Sequence, residues 1–464
     1  MTRPWPEPDV LVVGGGPAGA AVAVLLRARG FDVLLVDHGR LHASGPYESL
    51  LAPARTLLAR TGLARLVEPA AEIDPLRHGA LWGSDELVWR DGGEPGLLLR
   101  RGAFDASLRA RARADGVRVL LPATARRDDT AERWFVTDAH GVEHPCRPHL
   151  VIVATGRTTA SPAGATTTAP RTFAFGCVGE PAAADRGTAV VEATAHGWLW
   201  THAPTTGPAC ATVLLDGAQL QSLGRERLLA HVLGAARGPA GRLRAPRVRH
   251  ATDATPRLRT SGPDVLAIGD AANTIDPLAS QGVEKALAAA DHAAAVATTA
   301  LQRSEWRERL FAAHARWERG LHVAHATVAS TWYERETRFA AEPFWVARRQ
   351  GAPALVASPA SGAPLRVATN VLRAEVLVRE GPQFVARAGA IDATTGDELS
   401  HIGYVPVLPV LDAFTTPRPL PAAVAVAGQD PRLFVLPPRA VHGAMLELLR
   451  RGWLSAAGNA ADNR

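Results

Sequence analysis

The sequence predicts an α/β fold: a Rossmann-like domain, an antiparallel β-sheet domain inserted into it, and a C-terminal accessory module. Three observations carry this. An apolar strand, Val10 to Val13, runs into a glycine-rich turn, an alanine-rich helical segment and a second apolar strand ending at Asp37. Buried-strand runs recur at Leu150–Val153 and Val265–Ile268, closing on Ala154-Thr155-Gly156 and on Gly269-Asp270. From Arg171 to about Asp216, short strand-like runs alternate with Gly and Pro breaks, and beyond Gly351 the composition becomes Pro- and Val-rich. The expected division is 1–170 plus 250–300 for the Rossmann-like domain and 171–249 for the inserted sheet. A helical extension over 301–350 and the module over 351–464 complete it.

The first element is the most informative. Gly14, Gly16 and Gly19 occupy the GxGxxG positions between strand and helix. Gly14 permits the tight turn, Gly16 lets backbone approach a pyrophosphate, and Gly19 lets the helix pack closely on the strands. The helix N-terminus, beginning Pro17-Ala18, presents N–H groups and a positive dipole end to phosphates. Asp37, 18 residues after Gly19, is placed to accept hydrogen bonds from adenosine ribose hydroxyls. A dinucleotide is the expected ligand.

Bulk properties bound the remaining classes. A chain of 464 residues, 47% of them apolar, is long enough for two or three subdomains. No apolar run approaches a membrane span, so no stable membrane insertion is expected. The opening MTRPWPEPDV has no hydrophobic region, which argues against a secretory signal. Cys146, Cys177 and Cys210 lie far apart without metal-ligand spacing, so no metal site is expected and a reducing cytoplasm fits them. The net charge of +6 comes from scattered arginines rather than a basic patch, so no nucleic-acid partner is expected. Lys285 is the only lysine in the chain.

Further along, LLAPARTLLARTGL carries Leu50, Leu57, Leu58 and Leu63 nearby at helical spacing. Trp82-Gly83 and Leu87–Trp89 read as short strands. A helix is expected from about Phe104, with Arg101 just before it, and residues 123–146 read as an antiparallel meander. The sheet domain contains GWLWTHAP, Gly197 to Pro204, and a helix near Arg225–Ala235 follows. A long alanine-rich helix starts near Gly282, helices continue to about Arg349, and an amphipathic helix is expected at Ala440–Arg451.

GxGxxG with Asp37, Arg101, the Ala154-Thr155-Gly156 turn and GDAANTIDP together resemble FAD-dependent monooxygenases of the para-hydroxybenzoate hydroxylase fold, over roughly residues 8–300. The flavin halogenase and geranylgeranyl reductase branch is more similar still. PYESLLAPARTLLARTGL resembles its Gly-Glu-Ser loop and following helix, with Tyr47 in place of the glycine. GWLWTHAP resembles the halogenase Trp-x-Trp-x-Ile-Pro signature, with Pro204 one residue late and no isoleucine. WYERETRFAAEPFW, Trp332 to Trp345, is similar to flavoprotein monooxygenases that mature tryptophylquinone cofactors.

The resemblance implies FAD, with Gly14, Gly16, Pro17, Ala18 and Gly19 at the diphosphate and Asp37, His38 and Arg40 around the adenosine. It places Ser49 and Arg101 beside the ribityl–phosphate chain, and Gly269, Asp270 and the Pro277–Val283 loop, with Gln281 and Gly282, at the isoalloxazine. Thr155 and Gly156 form a second approach to the nucleotide. Reduction is expected from NAD(P)H directly or through a separate flavin reductase.

A halogenase of this branch needs a lysine between flavin and substrate, in the 70–90 region, where this chain has Arg77 and His78. Arginine stays protonated and does not replace it. The expected reaction is therefore hydroxylation of an aromatic substrate through a flavin C4a-hydroperoxide, with a peptidyl tryptophan as one candidate and the 351–464 module as its docking surface. Trp198 and Trp200 are expected on opposite faces of their strand, one walling the substrate cavity and the other in the core. His202 is the first candidate base for a phenol or indole, and Glu48 the second. The alternatives are halogenation, a geranylgeranyl reductase-type reductase or dehydrogenase, and a partner protein with structural FAD.

Overall fold

A computed structural model describes residues 7–39, 47–50, 52–64, 71–72, 76–90, 97–128, 133–158, 165–259, 265–279, 281–349 and 362–457. The chain forms two compact units, Met1–Gln302 with Trp317–Pro353, and Arg303–Arg316 with Ala354–Arg464.

The first unit is built on a five-stranded parallel sheet. Its strands lie in the order Val265–Ala267, Leu150–Val153, Val10–Val13, Val33–Val36 and Arg118–Leu120. The central strands read VLVV, VLLV and LVIV because a parallel sheet covered on both faces has no solvent side to alternate toward. The Pro17–Ala28 helix packs against the Arg101–Ala114 and Gly282–Gln302 helices. Ala20, Ala21 and Ala23 on one side, and Ala289, Ala290 and Ala293 on the other, are completely buried, and their small side chains admit close approach. The expected meander is present as Thr124–Asp128, Arg133–Thr137 and Glu143–Cys146.

A seven-stranded sheet forms the second half of this unit. Its order is Arg244–Asp253, Thr172–Glu180, Ala209–Asp216, Gly197–Ala203, Thr188–Thr194, Arg77–Leu81 and Val88–Trp89. This corrects the expected 171–249 segment in two ways. The sheet runs on to Asp253, and it recruits residues 77–81 and 88–89 from far upstream, Arg77–Leu81 pairing parallel to the Thr188–Thr194 strand with Gly79 opposite Val190. A pairing between segments over a hundred residues apart leaves no local signal.

The faces of the sheet correct a second expectation. Residues two apart on a strand share a face. Trp198 and Trp200 therefore point the same way, into a cluster with Ala174, Ala193, Leu214, Trp82, Leu278, Tyr333, Phe339, Phe344 and Trp345. Leu199 and Ala203 point the other way, under Leu228, Leu229 and Val232 of the Arg225–Ala235 helix.

The helix starting at Gly282 ends at Gln302, and Arg307–Arg335 and Pro343–Arg349 follow. The expected 301–350 extension is divided, since residues 303–316 cluster with the second unit. That unit holds a hairpin of two ten-residue strands, Val371–Glu380 and Gln383–Asp392, with Gly381 at φ +60° in its turn. Helices Val407–Asp412, Leu420–Ala427 and Pro438–Arg450 enclose a core of Phe414, Met445, Leu448 and Trp453. Short strands ending in one amphipathic helix at Ala440–Arg451 were expected here; that helix is present as Pro438–Arg450, and the two helices before it were not expected. Several prolines instead start helices, Pro421 and Pro438 standing in first turns, where the missing N–H has no intrahelical partner to lose.

Candidate functional site

The glycine-rich turn is fixed by sterics. Gly14 has φ +108°, and a Cβ there would lie 2.4 Å from the Ala154 carbonyl oxygen. A Cβ on Gly19 would lie 1.8 Å from the Gly14 carbonyl oxygen. Gly16 differs: its φ is −74°, and a Cβ there would meet no atom within 4 Å. Its missing side chain leaves open space at the mouth of the Pro17–Ala28 helix, whose first N–H groups have no intrahelical acceptor.

Other predicted residues converge on this turn. The backbone nitrogen of Thr155 lies 2.9 Å from the Cβ that Gly14 lacks, and Gly156, at φ +72°, begins a short turn over Gly156–Thr158. Thr155 Oγ1 is buried with no hydrogen-bond partner among the described residues. A Cβ on Gly269, at φ +62°, would lie 2.9 Å from Ala18 Cβ, which brings the GDAANTIDP loop to the helix mouth. Asp37 accepts from the Gly15 N–H at 2.6 Å and the Gly39 N–H at 2.8 Å, and a carboxylate retains lone pairs for ribose hydroxyls beyond these. His38 sits beside it, Nδ1 3.9 Å from Asp37 Oδ1. Arg40 lies outside the described residues. The sequence reading overlooked Arg109, a buried arginine whose Nη1 donates to the Gly15 carbonyl at 3.3 Å. An open Cβ-free cradle, an orphaned hydroxyl and a buried guanidinium together fit a diphosphate.

Arg101 departs from expectation. It is the first residue of its helix rather than the one before it, and its guanidinium is held by Glu48 at 3.3 Å and by Asp105 at 3.2 Å. Burial raises the Glu48 carboxyl above its ordinary range, against the pull of Arg101. Arg157 and Asp270 lie within electrostatic reach of it. Ser49 lies on the neighbouring strand position, paired in register with Leu98.

Asp270 is engaged more fully than the sequence suggested. Lys285 Nζ and Arg157 Nε each lie 2.8 Å from one of its two oxygens, and its backbone carbonyl accepts from Arg259 at 2.9 Å. Burial by itself would raise its pKa, but the Lys285 and Arg157 cations outweigh that and hold the carboxyl far below the usual range. Lys285, with a completely buried side chain, also donates to the Asn273 carbonyl. Pro277 opens the short turn Pro277–Ala279, Gln281 accepts the Lys285 backbone N–H, and Gly282 begins the helix with open space at its α-carbon. Val283 is buried.

On the sheet, Trp198, Trp200 and His202 form one row on one face. The Trp200 and His202 rings are 4.5 Å apart. Burial, assisted by His78, pushes the His202 imidazole down to about 3, so the ring is neutral at physiological pH and weak as a base. Trp82 stands edge-on to Trp198 at 6.3 Å and to Trp345 at 5.3 Å. Leu278, from the turn after Asp276, packs against the same cluster.

The comparisons decide the class of the first half. Residues 7–212 match the family described as FAD binding domain. The chain carries an FAD-binding domain. It is a flavoprotein, and FAD is its cofactor. Menaquinone reductase of Mycobacterium tuberculosis is 32% identical over 149 residues, 31% of this chain and 36% of that protein. The chain thus spans about a third of the length of that relative. Tryptophan 2-halogenase of Chondromyces crocatus is 26% identical over 391 residues, 73% of this chain and 70% of that protein. Among solved structures, the peptidyl tryptophan dihydroxylase QhpG, described as essential for tryptophylquinone cofactor biogenesis, superposes with a TM-score of 0.72. It covers 96% of this chain and 100% of its own at 24% identity. The flavin-dependent halogenase CmlS gives the same TM-score at 17% identity, over 97% and 96%. These likenesses establish a shared fold. No helix among the described residues is long and apolar enough to cross a membrane.

Proposed function

We propose that this flavoprotein oxidoreductase is a monooxygenase that hydroxylates an aromatic ring, with a peptidyl tryptophan as substrate. When bound, reduced flavin supplies activation of dioxygen for transfer to an electron-rich ring. The chain's own task is to hold the flavin, seat the ring and exclude water. Gly16 and the helix mouth would hold the diphosphate, with Thr155 and Arg109 beside it. Trp198, Trp200 and Trp82 offer an aromatic wall suited to an indole, since aromatic pairs favour offset and edge-to-face arrangements. His202, kept neutral by burial, would accept a hydrogen bond from the ring N–H or hydroxyl and orient it, with Glu48 the second candidate for proton transfer.

The observation that carries hydroxylation over halogenation is the position of Lys285. The chain's one lysine is buried and spent on Asp270 and the Asn273 carbonyl, so it is not available to relay a halogenating species. The names of QhpG and of the tryptophan 2-halogenase support tryptophan as the ring type. Electrons would come from NAD(P)H or a partner flavin reductase, a point decided by whether NAD(P)H alone bleaches the flavin anaerobically.

The test is mass spectrometry of candidate tryptophan peptides and proteins after incubation with enzyme, reduced flavin, oxygen and chloride or bromide. A gain of one or two oxygen atoms is expected. An enzyme-dependent product with a chlorine or bromine isotope pattern would replace this reading with halogenation.

A further inference from the structure

Asp276, next to last in the GDAANTIDP motif, and Tyr333 take no part in the cofactor cradle. Both are buried. Asp276 Oδ1 accepts the Leu278 N–H at 2.9 Å and so caps the Pro277–Ala279 turn. Tyr333 donates its hydroxyl to the same carboxylate, 3.0 Å from Oδ2 and 3.2 Å from Oδ1. The Tyr333 ring stands edge-on to Trp345 at 6.0 Å and to Phe344 at 6.4 Å. Trp345, in turn, donates its indole N–H to the Thr194 carbonyl at 2.8 Å, on a central strand of the seven-stranded sheet. A continuous chain of contacts therefore runs from the sheet through Trp345 and Tyr333 to Asp276 and the turn.

The surroundings make this linkage expensive to break. A cavity of about 70 Å³ lies beside the pair, its lining mostly apolar, with Ile275 and Ala329 among it and Thr168, His322, Ser330 and Arg348 as the other polar members. Arg348 is directed elsewhere: to Asp216, to the Thr172 hydroxyl and over the Phe344 ring. Asp276 therefore relies on Tyr333 and the Leu278 N–H, and a buried carboxylate deprived of a donor bears its desolvation cost.

We propose that Tyr333 and Asp276 are positioning residues that fix the flavin-facing Pro277–Ala279 turn to the aromatic wall of the seven-stranded sheet. The proposal rests on the reading that this loop faces the isoalloxazine. Its consequence is that the packing of the buried Trp345 and Trp198 is coupled to the flavin's surroundings. The pairing also joins two motifs that the sequence presents separately, GDAANTIDP and WYERE.

The test compares full-length protein with Tyr333→Phe, Asp276→Asn and Thr188→Val. The last removes a buried hydroxyl hydrogen bond at the opposite end of the Thr188–Thr194 strand from Thr194. Each protein is measured for melting temperature, FAD dissociation constant, visible flavin spectrum and peroxide released per NAD(P)H or reduced flavin consumed. Tyr333→Phe is expected to weaken FAD binding about ten-fold, the scale of one buried charged hydrogen bond, and to shift the visible bands and raise peroxide release. Thr188→Val should lower the melting temperature similarly and leave the flavin readouts at wild type. Should Tyr333→Phe not fold, Asp276→Asn, which keeps an acceptor for Leu278, must show the same flavin changes. Flavin readouts of the folded variant equal to those of Thr188→Val would overturn the proposal while leaving the FAD site in place. A wild-type protein that takes up no FAD would instead remove the underlying reading.

Discussion

The glycine-rich turn and the seven-stranded sheet differ in how their candidate functional residues are brought together. In the turn, Gly14, Gly16, Gly19 and Asp37 lie within 24 residues, and backbone sterics decide the identity of Gly14 and Gly19. In the sheet, Trp82, Trp198, Tyr333 and Trp345 come from segments spread over 264 residues, and side-chain packing decides their arrangement. A site made of backbone tolerates only residues without a Cβ. A site made of side chains tolerates changes that preserve volume and polar satisfaction. The first should fail sharply under small substitutions, and the second in proportion to the atoms removed.

The sharpest way to separate the two is within the glycines. Gly16→Val should abolish FAD retention, read as loss of yellow colour after gel filtration, with the melting temperature of the apoprotein little changed because nothing lies within 4 Å of the new Cβ. Gly19→Ala should unfold the protein instead. Full FAD content in a folded Gly16→Val variant would remove the cradle from the cofactor site.

Trp345→Ala should cost about 3–5 kcal/mol, read by denaturant unfolding, because it empties a fully buried volume and strands the Thr194 carbonyl. A loss below about 1 kcal/mol would mean that the wall is not a packed core.

His202→Ala should slow product formation by roughly 10²-fold with FAD binding intact, if the neutral imidazole orients the ring. Unchanged turnover would make His202 a purely structural member of the row.

The smallest effect concerns Glu318, a buried carboxyl whose pKa burial pushes up to about 7. The fold favours its protonated form, so its contribution is full below about pH 4.5, declines as pH rises toward 7 and is then constant. Glu318→Gln should therefore match wild type near pH 4 and exceed it by about 1–2 kcal/mol at pH 8. A variant less stable than wild type at pH 8 would mean that the ionised carboxylate is welcome in its site.

By itself the sequence determined the dinucleotide half, because strand, turn and helix follow from contiguous residues. The spacing of Gly14, Gly16 and Gly19 is a steric record of a backbone path that can be read without any tertiary contact. Asp37 was legible for the same reason, standing at the end of the next strand. The meander over 124–146 was legible from its alternation and turns. What tertiary structure alone decided was every partnership between distant segments. Arg109 reaches Gly15 across 94 residues, Tyr333 reaches Asp276 across 57, and Arg77–Leu81 joins a sheet otherwise drawn from beyond residue 170 except for Val88–Trp89. Pairings of this kind depend on where the chain has been carried by intervening elements, and local periodicity holds no information about that. The common face of Trp198 and Trp200 follows from the two-residue period of a strand, but which face meets Trp345 and which meets the Arg225–Ala235 helix was settled only when the sheet was covered on both sides.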